Sequence, residues 1–128
     1  MSFSVTKKTR GVVPERFFLG IKNIALTEPY ELSLALISSR EMRLLNRRYR
    51  HKDYPTDILS FPYSTGQGEI LLCLPQVRLK AKKFALPYQK YLGQLFIHGL
   101  LHLKGMRHGR TMERHEKILH RRFDLEAQ

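Results

Sequence analysis

The sequence predicts an α+β domain in which a small mixed β-sheet packs with about five helices, one of them long and central. Three features predict it. Stretches of alternating and of helical hydrophobic period follow one another along the chain, with fewer strands than helices. Prolines and a glycine punctuate them at Pro14, Pro75, Pro87 and Gly105. No repeat, low-complexity tract or linker divides the 128 residues, a length suited to one core, so residues 1–128 are expected to form a single domain.

Pro14 suits the start of a first helix running to about Ala25, with Phe17, Phe18, Ile21 and Ile24 on one side. Glu31–Ile37 alternates and reads as a strand with Leu32, Leu34 and Leu36 on one face. Ser38 followed by Glu41 has the form of a capping box and opens a helix through about Arg48, with Met42, Leu45 and Tyr49 at helical spacing. After the turn-like HKDYPTD, residues 57–62 read as a short strand, STGQG as a turn, and residues 69–74 (EILLCL) as a largely buried second strand. Pro75 begins a helix over Gln76–Leu86 that carries Arg78, Lys80, Lys82 and Lys83. Pro87 separates it from a long apolar helix, Tyr88 to about Lys104, which Gly105 can end in a left-handed conformation. A last polar helix covers about Arg110–Phe123.

Composition narrows the classes of function. A hydrophobic content of 42% argues against disorder. No apolar run reaches the ~18–20 residues that a membrane span needs, and MSFSVTKKTRG has charge but no apolar stretch after it, unlike a secretory signal. The single cysteine, Cys73, rules out an internal disulfide and lies in an apolar run, where it reads as a small buried hydrophobe. These features place the protein in the cytoplasm. Charge is the loudest signal: 23 Lys and Arg against 11 Asp and Glu give +12. A field of that sign recruits polyanions, nucleic acid above all; a merely soluble basic surface is the plainer reading. Membrane-surface binding is less favoured, because no segment joins a basic face to an apolar stripe with aromatic anchors.

His98 and His102 are four residues apart on the long helix, so both imidazoles leave one face. That spacing lets them share one ion at ~2.0–2.1 Å per Zn–N bond. Gly105 reverses the chain and lets His108 return to the same point. A lone pair of histidines at this spacing is as well read as core; a third with a glycine at the turn favours zinc or a similar divalent ion. The pattern H-x-x-x-H-x-x-G-x-x-H has the spacing of the metzincin protease motif, but Gly99 stands where the protease has its Glu general base. Peptide hydrolysis is therefore not expected, and the missing side chain should leave space beside the metal for a larger substrate. Three nitrogens without an evident fourth ligand describe an open, catalytic site. Such an ion lowers the pKa of water towards ~7 or polarises a phosphoryl oxygen, and the basic chain makes phosphodiester hydrolysis its natural chemistry. His51, His115 and His120 read as surface residues.

The segment Asn46–Tyr63, NRRYRHKDYPTDILSFPY, is more particular. Pro55 preorganises a turn, and Thr56 and Asp57 can bond to nearby backbone amides. Arg50 is the candidate catalytic residue here, because a guanidinium near a metal can hold phosphate and stabilise charge developing on phosphorus.

Taken together, N-x-x-Y-R-x-K-D-x-P-T-D-[IV]-L-S-F-P over Asn46–Pro62, G-[DE]-I at Gly68–Ile70, and H-G-x-L-H-L-x-G-x-x-H over His98–His108 resemble the endoribonuclease YbeY family. The resemblance is specific over about Arg40–Phe123, and Met112 and Glu116 also fit the family's C-terminal pattern. It implies one zinc ion per chain on His98, His102 and His108, with Arg50 as the matching arginine. It also implies a single-strand-specific endoribonuclease that matures the 3′ end of small-subunit rRNA and serves ribosome quality control. Its partners would be single-stranded rRNA and the small ribosomal subunit; the oligomeric state is left open. An RNA-binding assembly factor with a structural zinc is the alternative. Three departures bear on the site. Met106-Arg107 replaces a frequent Tyr-Asp, removing an Asp that could orient an imidazole. Glu69 replaces a frequent Asp, and the stretch between Tyr63 and Glu69 is short, a change expected to alter how the cleft is covered.

Overall fold

A computed structural model describes residues 3–27 and 29–126. Its elements in chain order are β1 (Phe3–Lys7), α1 (Glu15–Ala25), β2 (Glu31–Leu36), α2 (Ser39–Arg50), β3 (Ile58–Ser64), β4 (Gln67–Leu72), α3 (Leu74–Lys83), α4 (Tyr88–Leu103) and α5 (Arg110–Arg122). The four strands form one sheet in the order β1-β2-β4-β3, with β1, β2 and β4 parallel and β3 antiparallel to β4. This is the expected α+β class with a mixed sheet and five helices among the described residues.

The sheet is covered on both faces, which is why its inner strands read as nearly continuous apolar runs. Leu32, Leu34, Leu36, Ile70 and Leu72 point to the larger core, which α1, α3, α4 and α5 complete. Ala35, Ile37, Leu59, Leu71 and Cys73 point the other way, onto Met42 of α2. Cys73 is fully buried, as its apolar neighbourhood predicts. Helix α4 is the hub: it touches β3, β4, α1, α3 and α5. Its Phe96 ring stacks on Phe18 of α1 with centroids 4.0 Å apart and planes 5° from parallel, and meets Phe3 at 6.4 Å. No helix among the described residues is long and apolar enough to cross a membrane.

Strand β1 was not foreseen. FSVTK does alternate, but it is short, basic at its end and lies at the sheet edge, so only Phe3 and Val5 reach the core. In α1 the buried face is Phe18, Ile21, Lys22 and Ala25, while Phe17 and Ile24 are 37% and 39% exposed. The capping box is half made: the Glu41 N–H donates to Ser38 Oγ at 3.1 Å, but the Glu41 carboxylate turns to Lys8 at 3.7 Å. Ser64 and Gln67 end the strands, so the expected STGQG turn shrinks to Thr65–Gly66. Pro75 sits inside the first turn of α3, which begins one residue before it.

Truncating Phe96→Ala removes the ring that joins α4 to both α1 and β1, and should lower stability by about 3–5 kcal/mol. Urea unfolding would show it as a lower midpoint at an unchanged slope.

Candidate metal centre

The site is built where α4 ends over the sheet edge formed by β3. Successive turns of α4 place His98 and His102 on one side, while Phe96, Ile97, Leu100 and Leu101 take the buried directions. Gly105 then adopts φ +99°, a conformation that favours glycine. The reversal is tied by the Gly105 N–H to the His102 carbonyl and by the Met106 N–H to the Leu101 carbonyl, both at 3.0 Å. His108 thereby returns beside the pair, with ring centroids 5.0 Å from His98 and 4.7 Å from His102. One nitrogen from each ring lies within 4.8 Å of the others, a grouping that can hold a metal ion.

The outer ring nitrogens settle how the inner ones face. Nδ1 of His102 lies 3.0 Å from the Met106 carbonyl, which can only accept, so that nitrogen carries hydrogen. Nδ1 of His98 donates to Glu116 of α5 at 2.8 Å, and this bond holds the Glu116 carboxyl below its ordinary range despite partial burial. Both rings, when neutral, therefore present bare Nε2 lone pairs to each other, 3.0 Å apart. A cation bound at that point relieves the repulsion, so the donor set fits a metal of the kind imidazoles prefer. Burial pulls His102 below the ordinary imidazole range, and the Met106 carbonyl opposes that shift.

The Met106-Arg107 departure thus leaves these two imidazoles oriented: His102 is held by a main-chain carbonyl, and His98 by Glu116 from another helix. Composition and spacing did not assign Glu116 this place. The available signal was its position on the inward stripe of α5, between the buried Met112 and Leu119.

Gly99 does something other than expected. The space of its missing side chain is filled by neighbours; it is buried, and a Cβ there would meet Ile58 Cδ1 at 2.8 Å, with Ile70 Cδ1 and Ser60 Oγ at 3.1 Å. Its carbonyl accepts from Ser60 Oγ at 3.3 Å. The missing side chain serves close packing of α4 on β3 and β4.

Arg50, at the end of α2, reaches the same place. It lines a cleft of about 300 Å³ together with His98, His102, His108, Ser60 and Pro62. Arg43 and Arg47 are engaged by Asp53, whereas Arg50 makes no salt bridge among the described residues. Asn46 positions the loop between α2 and β3 by donating from Nδ2 to the Tyr54 carbonyl at 2.8 Å. Asp57 differs from expectation: its carboxylate accepts from the Tyr91 hydroxyl at 2.7 Å and from Thr56 Oγ1 at 3.3 Å, rather than from backbone amides. Burial, then this bond to Asp57, raises the Tyr91 phenol well above its usual range. Of the remaining histidines, only His51 is exposed. His115 is half-buried, and so is His120, which lines an adjoining cleft and is lowered in pKa by burial.

Comparison with known proteins agrees with this geometry. Residues 4–125 match the family model described as endoribonuclease YbeY. A protein named endoribonuclease YbeY from Persephonella marina is 34% identical over 96% of this chain and 80% of its own length. A protein of the same name from Cupriavidus necator is 33% identical over 85% of this chain, but the match spans only 58% of that relative. The solution structure of the Thermotoga maritima protein TM1509 superposes with a TM-score of 0.66 at 25% identity, covering 94% of this chain and 88% of that one.

Glu116→Ala frees the His98 ring and should weaken binding of a divalent metal ion by roughly 10- to 100-fold, as loss of such supporting carboxylates does elsewhere. Chelator competition measures it, with His102→Ala as the larger loss.

Proposed function

The chain belongs to the endoribonuclease YbeY family, and on that premise we propose that it is a zinc-dependent endoribonuclease acting on single-stranded rRNA. Its cellular work, in this reading, is maturation of the 3′ end of small-subunit rRNA and ribosome quality control in the cytoplasm, with the small ribosomal subunit as partner. The observation that carries the proposal is the convergence on a single cleft of three imidazoles and one guanidinium that makes no salt bridge among the described residues.

His98, His102 and His108 would hold one zinc ion per chain, because three protein nitrogens without a fourth protein ligand among the described residues are the pattern of a catalytic rather than a closed site. When bound, the ion supplies Lewis acidity for phosphodiester cleavage. The chain's own residues supply the rest. Glu116 and the Met106 carbonyl fix two of the imidazole rings. Arg50 takes a phosphate oxygen through its planar fork, a geometry lysine would not reproduce. The excess of 23 basic over 11 acidic residues draws the polyanion in. Asp57 and Glu116, the carboxylates that line the adjoining cleft, are both hydrogen-bonded within the protein, which limits their repulsion of phosphate.

The test is cleavage of single-stranded RNA by metal-loaded wild type, His102→Ala and Arg50→Ala. Arg50→Ala should lose roughly 10²- to 10³-fold in rate, the usual loss when one charge-stabilising donor is removed, while RNA binding changes little. His102→Ala should lose cleavage together with zinc. Equal residual cleavage in all three would identify a contaminating nuclease and reject the proposal; RNA binding with no cleavage at all would leave an RNA-binding assembly factor.

A further inference from the structure

The imidazole cleft does not stand alone. A second cleft of about 400 Å³ adjoins it, walled by α3, α4, α5 and the start of β3, and the two share Arg50, Ile58, His98 and His108. Its volume falls in the roughly 300–1,000 Å³ range of small-molecule sites. Asp57, only 4% exposed, lies on its wall with Tyr91 bonded to it at 2.7 Å and the Lys80 ammonium 4.0 Å away.

Phe84 also lines this cleft, and the core does not account for it: the ring is 51% exposed. It meets Tyr91 at 5.8 Å and 58°, a tilted contact that leaves much of the Phe84 ring uncovered. The turn presenting it is fixed rather than loose. The Phe84 N–H donates to the Lys80 carbonyl at 3.0 Å, Leu86 returns to the Ala81 carbonyl at 2.9 Å, and Ala85 takes a left-handed φ of +54°. An exposed apolar ring on a fixed turn, in an open cleft that the cations Arg50 and Lys80 also line, offers the two kinds of contact that alternating phosphate and flat base along a single nucleic-acid strand call for. A paired base has its faces already stacked and its edge occupied, so the same features select unpaired residues.

We propose that this second cleft seats the nucleoside next to the phosphate held at Arg50, with Phe84 stacking on its base and Lys80 contacting the following phosphate. This rests on the proposed action on RNA and names where the strand continues beyond the reacting phosphate.

The experiment follows fluorescence anisotropy of labelled single-stranded oligoribonucleotides on the intact chain, with zinc and with EDTA, alongside cleavage. One base is removed from the RNA at successive positions. Phe84→Ala should weaken binding roughly 5- to 150-fold in both conditions, the range that one lost base–aromatic stack produces, while zinc affinity stays unchanged. Phe84→Trp should keep binding. At one position the abasic RNA should bind wild type as weakly as intact RNA binds Phe84→Ala, and the two losses should not add, because they delete the same contact. Lys80→Gln should reduce the slope of log affinity against log salt by about 0.7, the value for one phosphate on a single strand. If wild type binds and cleaves RNA but Phe84→Ala does both equally well, or the losses add, the subsite is wrong and the nuclease reading stands. If Phe84-dependent binding persists without any cleavage, the subsite stands and the nuclease reading falls. If wild type binds no RNA, both fall.

Discussion

The site depends on how closely α4 lies on the sheet. At Gly99 the helix backbone comes near enough for Ser60 to bond its carbonyl and for Ile58 and Ile70 to occupy the space a side chain would fill. Interiors are packed too tightly for such a contact to slide freely. The register of α4 against β3 is therefore set at the residue next to His98, and His102 follows one turn later. Phe96, on the buried side of the same turn, carries the constraint onward to α1 through its stack with Phe18. Residues that do no chemistry thus decide where the imidazoles stand relative to Ser60 and Pro62 on the strand beside them.

Much of the fold could be read from the sequence because its signals are local. Helices α2, α3 and α4 announce themselves by Ser38, Pro75, Pro87 and Gly105 together with apolar period, and the leucines of β2 alternate plainly. The histidine cluster was legible for the same reason: two of its imidazoles share a helix face and the third is one tight turn away. Contacts between distant segments were not. Strand β1 makes sense only beside β2, since on its own it is a short basic stretch with two apolar side chains. Glu116 reaches His98 from another helix, and spacing along the chain does not encode that meeting. Gly99 was misread because an absent side chain looks the same in a sequence whether the space is left for a ligand or filled by a neighbour.

Charge is distributed as unevenly as the packing. On α2, Arg43 makes two hydrogen bonds to Asp53 at 2.9 and 3.2 Å, with Arg47 3.8 Å away, which spends their fields on holding a loop. These pairs are exposed and contribute little to stability on their own. Their effect is positional: with Asp53 engaged, Arg50 is left facing the cleft without a carboxylate partner among the described residues. The buried Asp57 is likewise engaged, by the hydroxyls of Tyr91 and Thr56 and by Lys80 at 4.0 Å.

The reversal after α4 separates main-chain duty from side-chain identity. A carbonyl, not a side chain, holds the His102 ring, and the next residue, Arg107, is exposed and makes no side-chain hydrogen bond or salt bridge among the described residues. That position therefore tolerates chemical alteration within one residue of the third imidazole. It is a natural point for attaching a spectroscopic reporter or a crosslinker through an introduced cysteine, since Cys73, the only native thiol, is sealed in the core. A label there would view the site from its rim without replacing any group that builds it.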